Sequence, residues 1–152
     1  MPSIRARILG VLLYMIPWSD SLTFGNHLFI KYPFTQIIQI PAIPIIIIER
    51  LIPFGNLLLF LLIFIGLVRN RKVSYFLRFN ALQSLLINIS IIIISFIFDI
   101  LFNPFGNSLI IRTFSSTLLI SLFSIITYCV WSCTQGNEPD LPGISQATKM
   151  QL

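Results

Sequence analysis

The sequence predicts an all-α polytopic membrane protein, with four transmembrane helices plus a proline-broken segment that is interfacial or re-entrant. Three observations lead there. Of 152 residues, 56% are hydrophobic and 10% charged, whereas typical soluble chains are about 25% charged. A chain of this size folded in water leaves roughly a third of its unfolded surface exposed, more than ten basic and five acidic residues can cover. Uncharged runs reach the thickness of a bilayer core, and the basic residues Arg5, Arg7, Arg69, Arg71, Lys72 and Arg78 stand at their ends, where the positive-inside rule puts them.

The whole chain, 1–152, reads as one membrane domain. The first span is expected at about 8–25. Only Ile8 to Ser19 is free of charge, so the span must extend past Asp20, which sets that carboxylate near the far interface. Residues 32–48 are uncharged but hold Pro33, Pro41 and Pro44, which interrupt helical hydrogen bonding; hence the interfacial or re-entrant assignment. Leu51 to Val68 is an uncharged run of 18 residues between Arg50 and Arg69, ~27 Å as a helix, and gives a span at 51–68. Phe79 to Phe98 lies between Arg78 and Asp99 and opens a span at 79–102. A fourth, 112–133, centres on Phe114 to Trp131, with Trp131 suited to an interface. Residues 134–152 form a tail.

Four spans place Arg5, Arg7, Arg69, Arg71, Lys72, Arg78 and Lys149 on one side and Lys31, Arg50 and Arg112 on the other. A fifth crossing at 32–48 would weaken that bias, so both termini and the Arg69 to Arg78 loop are expected on the cytoplasm-equivalent side. Phe-Gly-Asn recurs at 24–26, 54–56 and 105–107, read as turn chemistry at the opposite face. The start, Ile8 to Pro17 after two arginines, lacks a small-residue cleavage site. No Arg- and Ser-rich transit segment precedes the first span, so the chain is expected to be made where it works or to be in mature form.

Polar residues fall in two patterns. On a helix, Asn80, Gln83, Ser84, Asn88, Ser95 and Asp99 share one arc of the third span. That arc either packs span three against span four or, notably at Asn80, Gln83 and Asn88, lines a polar path or contacts a translocating segment or partner. Thr113, Thr117, Ser121, Ser124, Tyr128 and Ser132 repeat along the fourth span as a candidate helix-packing stripe, since small hydroxyl residues permit close approach. Asp20 and Asp99 are candidates for function, as acids near a membrane core generally are, and both are expected at the outer interface near Arg112 or Arg50.

Other chemistries lack parts. Cys129 and Cys133 share one helix face and read as packing residues, because His27, the single histidine, is remote. Catalysis by a nucleophile with its base, by paired carboxylates or by a metal cluster cannot be written from one histidine and five scattered acids. No enzyme activity, catalytic residue, cofactor or metal is expected. The net charge of +5 sits at span ends rather than in a basic stripe with aromatics, so no nucleic acid is expected as partner.

Several motifs together resemble a known family. Arg7-Ile8-Leu9-Gly10 with Tyr14, Pro17 and Asp20, then Phe24-Gly25, the proline-broken segment, Arg78-Phe79-Asn80 with Gln83, and Pro142-Gly143-Ile144-Ser145 with Ala147 are similar to the Tic family's small four-span subunit of the chloroplast inner-envelope protein-import translocon. The skew toward 29 isoleucines against four alanines and the lack of a transit segment fit a plastid-encoded member. The resemblance implies a multi-pass protein of the plastid inner envelope with both termini toward the stroma, contributing to a precursor-conducting core or channel. Its partners would be other translocon membrane subunits, translocating precursor proteins and membrane lipid, in a hetero-complex or a homo-oligomer. Two alternatives stay open: a small-solute or ion transporter, and a structural or assembly subunit of a membrane complex.

Overall fold

The computed structural model describes residues 1–102, 104, 106 and 108–152, and every regular element among them is helical. Four helical stretches are long and apolar enough to cross a membrane: Ile4–Lys31, Pro33–Leu51, Tyr75–Phe102 and Leu109–Thr134. A shorter apolar helix covers Gly55–Val68.

The first stretch is four pieces in line: α1 (Ile4–Leu13), α2 (Met15–Ser21), a 3-10 turn (Leu22–Gly25) and α3 (Asn26–Lys31). Ser3 caps α1, its Oγ accepting from the Ala6 N–H at 3.2 Å. The break at Tyr14 falls one turn before Pro17, which has no N–H to give and whose ring crowds the carbonyl four residues back. A 3-10 helix (Pro33–Ala42) leads into α4 (Ile43–Leu51). Pro33 and Pro44 sit in the opening turns of these two helices, where a missing N–H costs nothing. The third, Pro41, lies inside the 3-10 helix near its end, so two of the three prolines in this segment fall where a helix tolerates them.

The span expected at 51–68 starts later. Pro53 and Phe54 make a turn, Phe54 being left-handed at φ 58°, so α5 (Gly55–Ile63) begins at Gly55 and ends in a π turn (Phe64–Val68). From Gly55 the helix is ~20 Å long at ~1.5 Å per residue, short of a ~30 Å hydrocarbon core. The long helices α6 (Tyr75–Phe102) and α7 (Leu109–Thr134) follow, and α8 (Ile144–Gln151) closes the tail.

Side-chain contacts fix the directions. Tyr14 meets Asn80 and Phe24 meets Phe98, so the first stretch runs parallel to α6. Arg7 reaches the Thr134 carbonyl and Ser115 the Phe24 carbonyl, so it runs antiparallel to α7. The N-terminus, the start of α6, the end of α7 and α8 therefore share one end of the bundle. The end of α5 joins them, because Arg78 Nε donates to the Val68 carbonyl at 2.9 Å. Between Lys31 and Tyr75 the chain thus makes one net return. Ile38 accepts from Trp18 Nε1 at 3.0 Å, and Asn56 lies on Asp20, two residues further along α2. From 38 to 56 the chain makes little net progress along the bundle, and α5 supplies the rest.

The Phe-Gly-Asn copies do not share a role. Phe24-Gly25-Asn26 is no turn between spans: Phe24 is buried, and Gly25 lies inside the first stretch, where a Cβ would run into the Phe29 ring and crowd Leu119 of α7. Phe54-Gly55-Asn56 does turn the chain. In the third copy, Phe105 and Asn107 lie outside the described residues.

Candidate functional site

The arc read on α6 divides in two. Asn80, Gln83, Ser84 and Asn88 are buried within the chain itself, each no more than 1% exposed. Tyr14 Oη donates to Asn80 Oδ1 at 3.0 Å, and Asn80 Nδ2 donates back to the Phe76 carbonyl at 2.8 Å. Gln83 Nε2 donates to the Pro139 carbonyl at 3.2 Å and to Ser145 Oγ at 3.4 Å, which pins the tail over the α6 start. Ser84 Oγ turns to the Ala81 carbonyl. Two acceptors, Gln83 Oε1 and Asn88 Oδ1, are buried without a donor, an unusual expense in an apolar interior.

Asn88 also faces the Asp20 carboxylate, and from there the arc opens. Asp20, Thr23, Asn56, Ile91, Ile92, Ser95, Phe96 and Asp99 line a cleft of about 240 Å³. Asn88 is near the middle of α6 and Asp99 near its end, ~17 Å apart at ~1.5 Å per residue, so the cleft joins mid-height to one end of the bundle. Asp20 is held by Asn56, whose Nδ2 donates to Asp20 Oδ2 at 3.4 Å. Asn56 is placed by Gly55, where a Cβ would come within 2.7 Å of the Glu49 Cα. Only glycine lets α5 start against α4 there, and Glu49 Oε1 is itself buried and unpartnered beside it.

Several expectations change. Asp20 does not sit at the outer interface with Asp99: it lies level with the middle of α6, and its hydrogen-bond partner is an amide, not Arg50 or Arg112. Asp99 is exposed near the end of α6. The stripe Thr117, Ser121, Ser124 and Tyr128 does not pack spans three and four of this chain together. All four face outward, and the hydroxyls of Thr117, Ser121 and Ser124 bond the carbonyl four residues back. The face of α7 that does pack runs through Ser115, Leu119, Leu122, Ile126, Cys129 and Cys133. The two stripes are offset by two residues, about 200° around the helix and so on opposite faces, and a helical wheel of hydroxyls does not say which of them turns inward.

Tyr14, Glu49 and Asn56 also belong to this polar system, outside the residues that helical spacing singles out. Asn56 was legible only as the end of a Phe-Gly-Asn triplet, and Glu49 only as a charge beside Arg50. Among the described residues no three His, Cys, Asp or Glu side chains converge on a metal position.

Comparisons cover nearly the whole chain. Residues 1–148 match the family described as Chloroplast import apparatus Tic20-like. The chain is 30% identical over 149 residues to a Tic20 family protein of Synechocystis sp., across 97% of this chain and 93% of that one. It is 29% identical to Protein TIC 20-v, chloroplastic, of Arabidopsis thaliana, across 96% of this chain and 70% of the relative. Tic20 family protein Ycf60 of Gracilaria tenuistipitata var. liui is also 29% identical, across 96% and 74%.

Proposed function

The chain belongs to the Tic20 family, and from that premise we propose that it is a membrane subunit of the protein-import translocon of a plastid, working in the inner envelope as part of a precursor-conducting core. The family match over residues 1–148 is the observation that carries this reading. The cleft supports the finer part of it, since it offers polar groups from mid-height to one end of an otherwise apolar bundle. No chemistry is required: the chain supplies a surface along which an extended peptide meets amides, hydroxyls and carboxylates instead of lipid.

A single bundle of so few helices encloses too little room for a polypeptide, so the open side of the cleft is completed by a second copy or another subunit. The clustering of the N-terminus, the Arg69 to Arg78 loop and the tail at one end supports termini toward the stroma. Pro33–Leu51 is then re-entrant, entering and leaving on the side of the cleft mouth.

Because Asn88 is sealed inside the chain and Ser95 lines the cleft, a photocrosslinker at Ser95 tests the reading. In plastids holding a precursor arrested midway, Ser95 is expected to crosslink to the precursor and a probe at outward-facing Ile125 to lipid or other subunits. Precursor verifiably arrested but never captured from Ser95 refutes a conducting role. Small-cation transport is the second reading, favoured by the Asp20 and Asp99 carboxylates sharing one cleft. It requires that Asp20→Asn abolish ion flux in reconstituted vesicles while precursor import continues.

A further inference from the structure

A second polar concavity lies where α3 finishes and α7 begins, at the same end of the bundle as the cleft mouth but lined by none of the cleft's residues. Its volume is about 690 Å³, and His27, Lys31 and Arg112 line it together with Ser116 and the apolar Leu28 and Ile120. We propose that it binds one anionic membrane lipid, with a phosphate or sulfonate headgroup between Lys31 and Arg112 and an acyl chain along the apolar wall.

The charge balance points to an anion. Lys31, Arg112 and the His27 imidazole, brought from elements some eighty residues apart in sequence, face one space that no carboxylate among the described residues lines. The acids nearest the membrane, Asp20 and Asp99, line the other cleft, and Glu49 lies against Gly55. The first turn of α7 adds to the field: a helix N-terminus carries partial positive charge and free N–H groups, and its Ser108 Oγ accepts from only one of them, Ile111.

Position and shape narrow the anion to a lipid. The concavity lies at the ends of two membrane-length helices, the level of lipid headgroups. Lys31 Nζ sits 5.4 Å above the Tyr32 ring, a cation and an aromatic held together as at a membrane interface. Volumes of a few hundred Å³ with convergent polar groups suit a small ligand, and exposed Ile120 with Leu28 gives it a wall along which a hydrocarbon chain can lie. Basic pockets between membrane helices commonly take such headgroups.

The test is native mass spectrometry of the purified full chain with phosphatidylglycerol or with phosphatidylcholine of the same acyl chains. The expected result is retention of one phosphatidylglycerol in preference to phosphatidylcholine. Lys31→Gln with Arg112→Gln should weaken it about thirtyfold, or about fivefold per basic side chain near a membrane surface. Arg69→Gln with Arg71→Gln, at the opposite end, should leave it unchanged. A Lys31→Arg, Arg112→Lys exchange keeps the charge and should keep binding, which separates loss of the site from loss of fold. Equal retention of both lipids, equal loss from both pairs of glutamine variants, or displacement of the lipid by inorganic phosphate alone overturns the proposal.

Discussion

Gly10 decides whether α1, α6 and α7 can meet. A Cβ there would overlap Cys133 Sγ, with Phe76 and Asn80 at ordinary contact distances of 3.6 and 3.9 Å. In Gly10→Ala two effects compete. Alanine in a helix interior is favoured over glycine by about 1 kcal/mol, and overpacking a well-fitted core costs about 1–3 kcal/mol. The net expectation is a loss of about 0–2 kcal/mol. Removing the obstructing sulfur changes the sign: in a Cys133→Ala background, Gly10→Ala should stabilise by about 1 kcal/mol. Gly66, with no atom near its missing Cβ, is the control, and Gly66→Ala should gain up to about 1 kcal/mol in either background. Unfolding in mixed detergent micelles by titration with dodecyl sulfate measures these terms. Trp18 fluorescence reports it, the indole lying 3.9 Å from the Phe123 ring centre. If Gly10→Ala has the same effect with and without the Cys133 sulfur, the close approach is not what constrains this crossing.

The remaining predictions use the same unfolding assay unless stated. Gly55→Ala meets Glu49 backbone at 2.7–2.8 Å rather than a movable side chain, so it should cost about 1–3 kcal/mol, and truncating Glu49 to alanine should not rescue it; rescue would locate the clash in the side chain instead. Tyr14→Phe removes the donor to the buried Asn80 Oδ1 and should cost about 1–2 kcal/mol; a variant as stable as the parent means that bond contributes nothing. Gln83→Leu cuts both ties from α6 to the tail, and amide exchange at Ser145 and Ala147 should quicken about five- to thirtyfold for one or two lost hydrogen bonds, while unchanged exchange refutes the anchoring. Ser121→Leu, on the outward stripe, should shift the stability of the isolated chain by no more than about 0.5 kcal/mol; a loss above 2 kcal/mol would restore the stripe as an internal packing surface.

The sequence showed that polar groups would gather on α6 but not what they would meet. Asn80, Gln83, Ser84 and Asn88 fall on one helical face by spacing alone, and a face of amides in an apolar span must turn away from lipid. Which groups satisfy them depends on neighbours far along the chain: Tyr14 for Asn80, Pro139 and Ser145 for Gln83. The α7 stripe failed for a related reason. A hydroxyl bonded to its own helix four residues back has no unmet polar demand, so Thr117 and Ser121 can face outward at little cost, and their pattern carries no direction. Charge alone points Asp20 toward a span end, whereas Asn56 gives this carboxylate a partner at mid-height.

What the sequence determined by itself is the solvent and the class of secondary structure. Composition and run length suffice for a helical bundle in a bilayer, because lipid offers the backbone no hydrogen bonds and a helix satisfies its own. Only the tertiary structure decided where helices begin and which polar groups meet. Pro33 and Pro44 could have broken a helix or opened one, and did the latter; Pro53 with Phe54 ended one instead. The α5 start, the cleft beside Asp20 and the basic concavity between His27 and Arg112 all depend on contacts between distant segments, which local hydropathy does not contain.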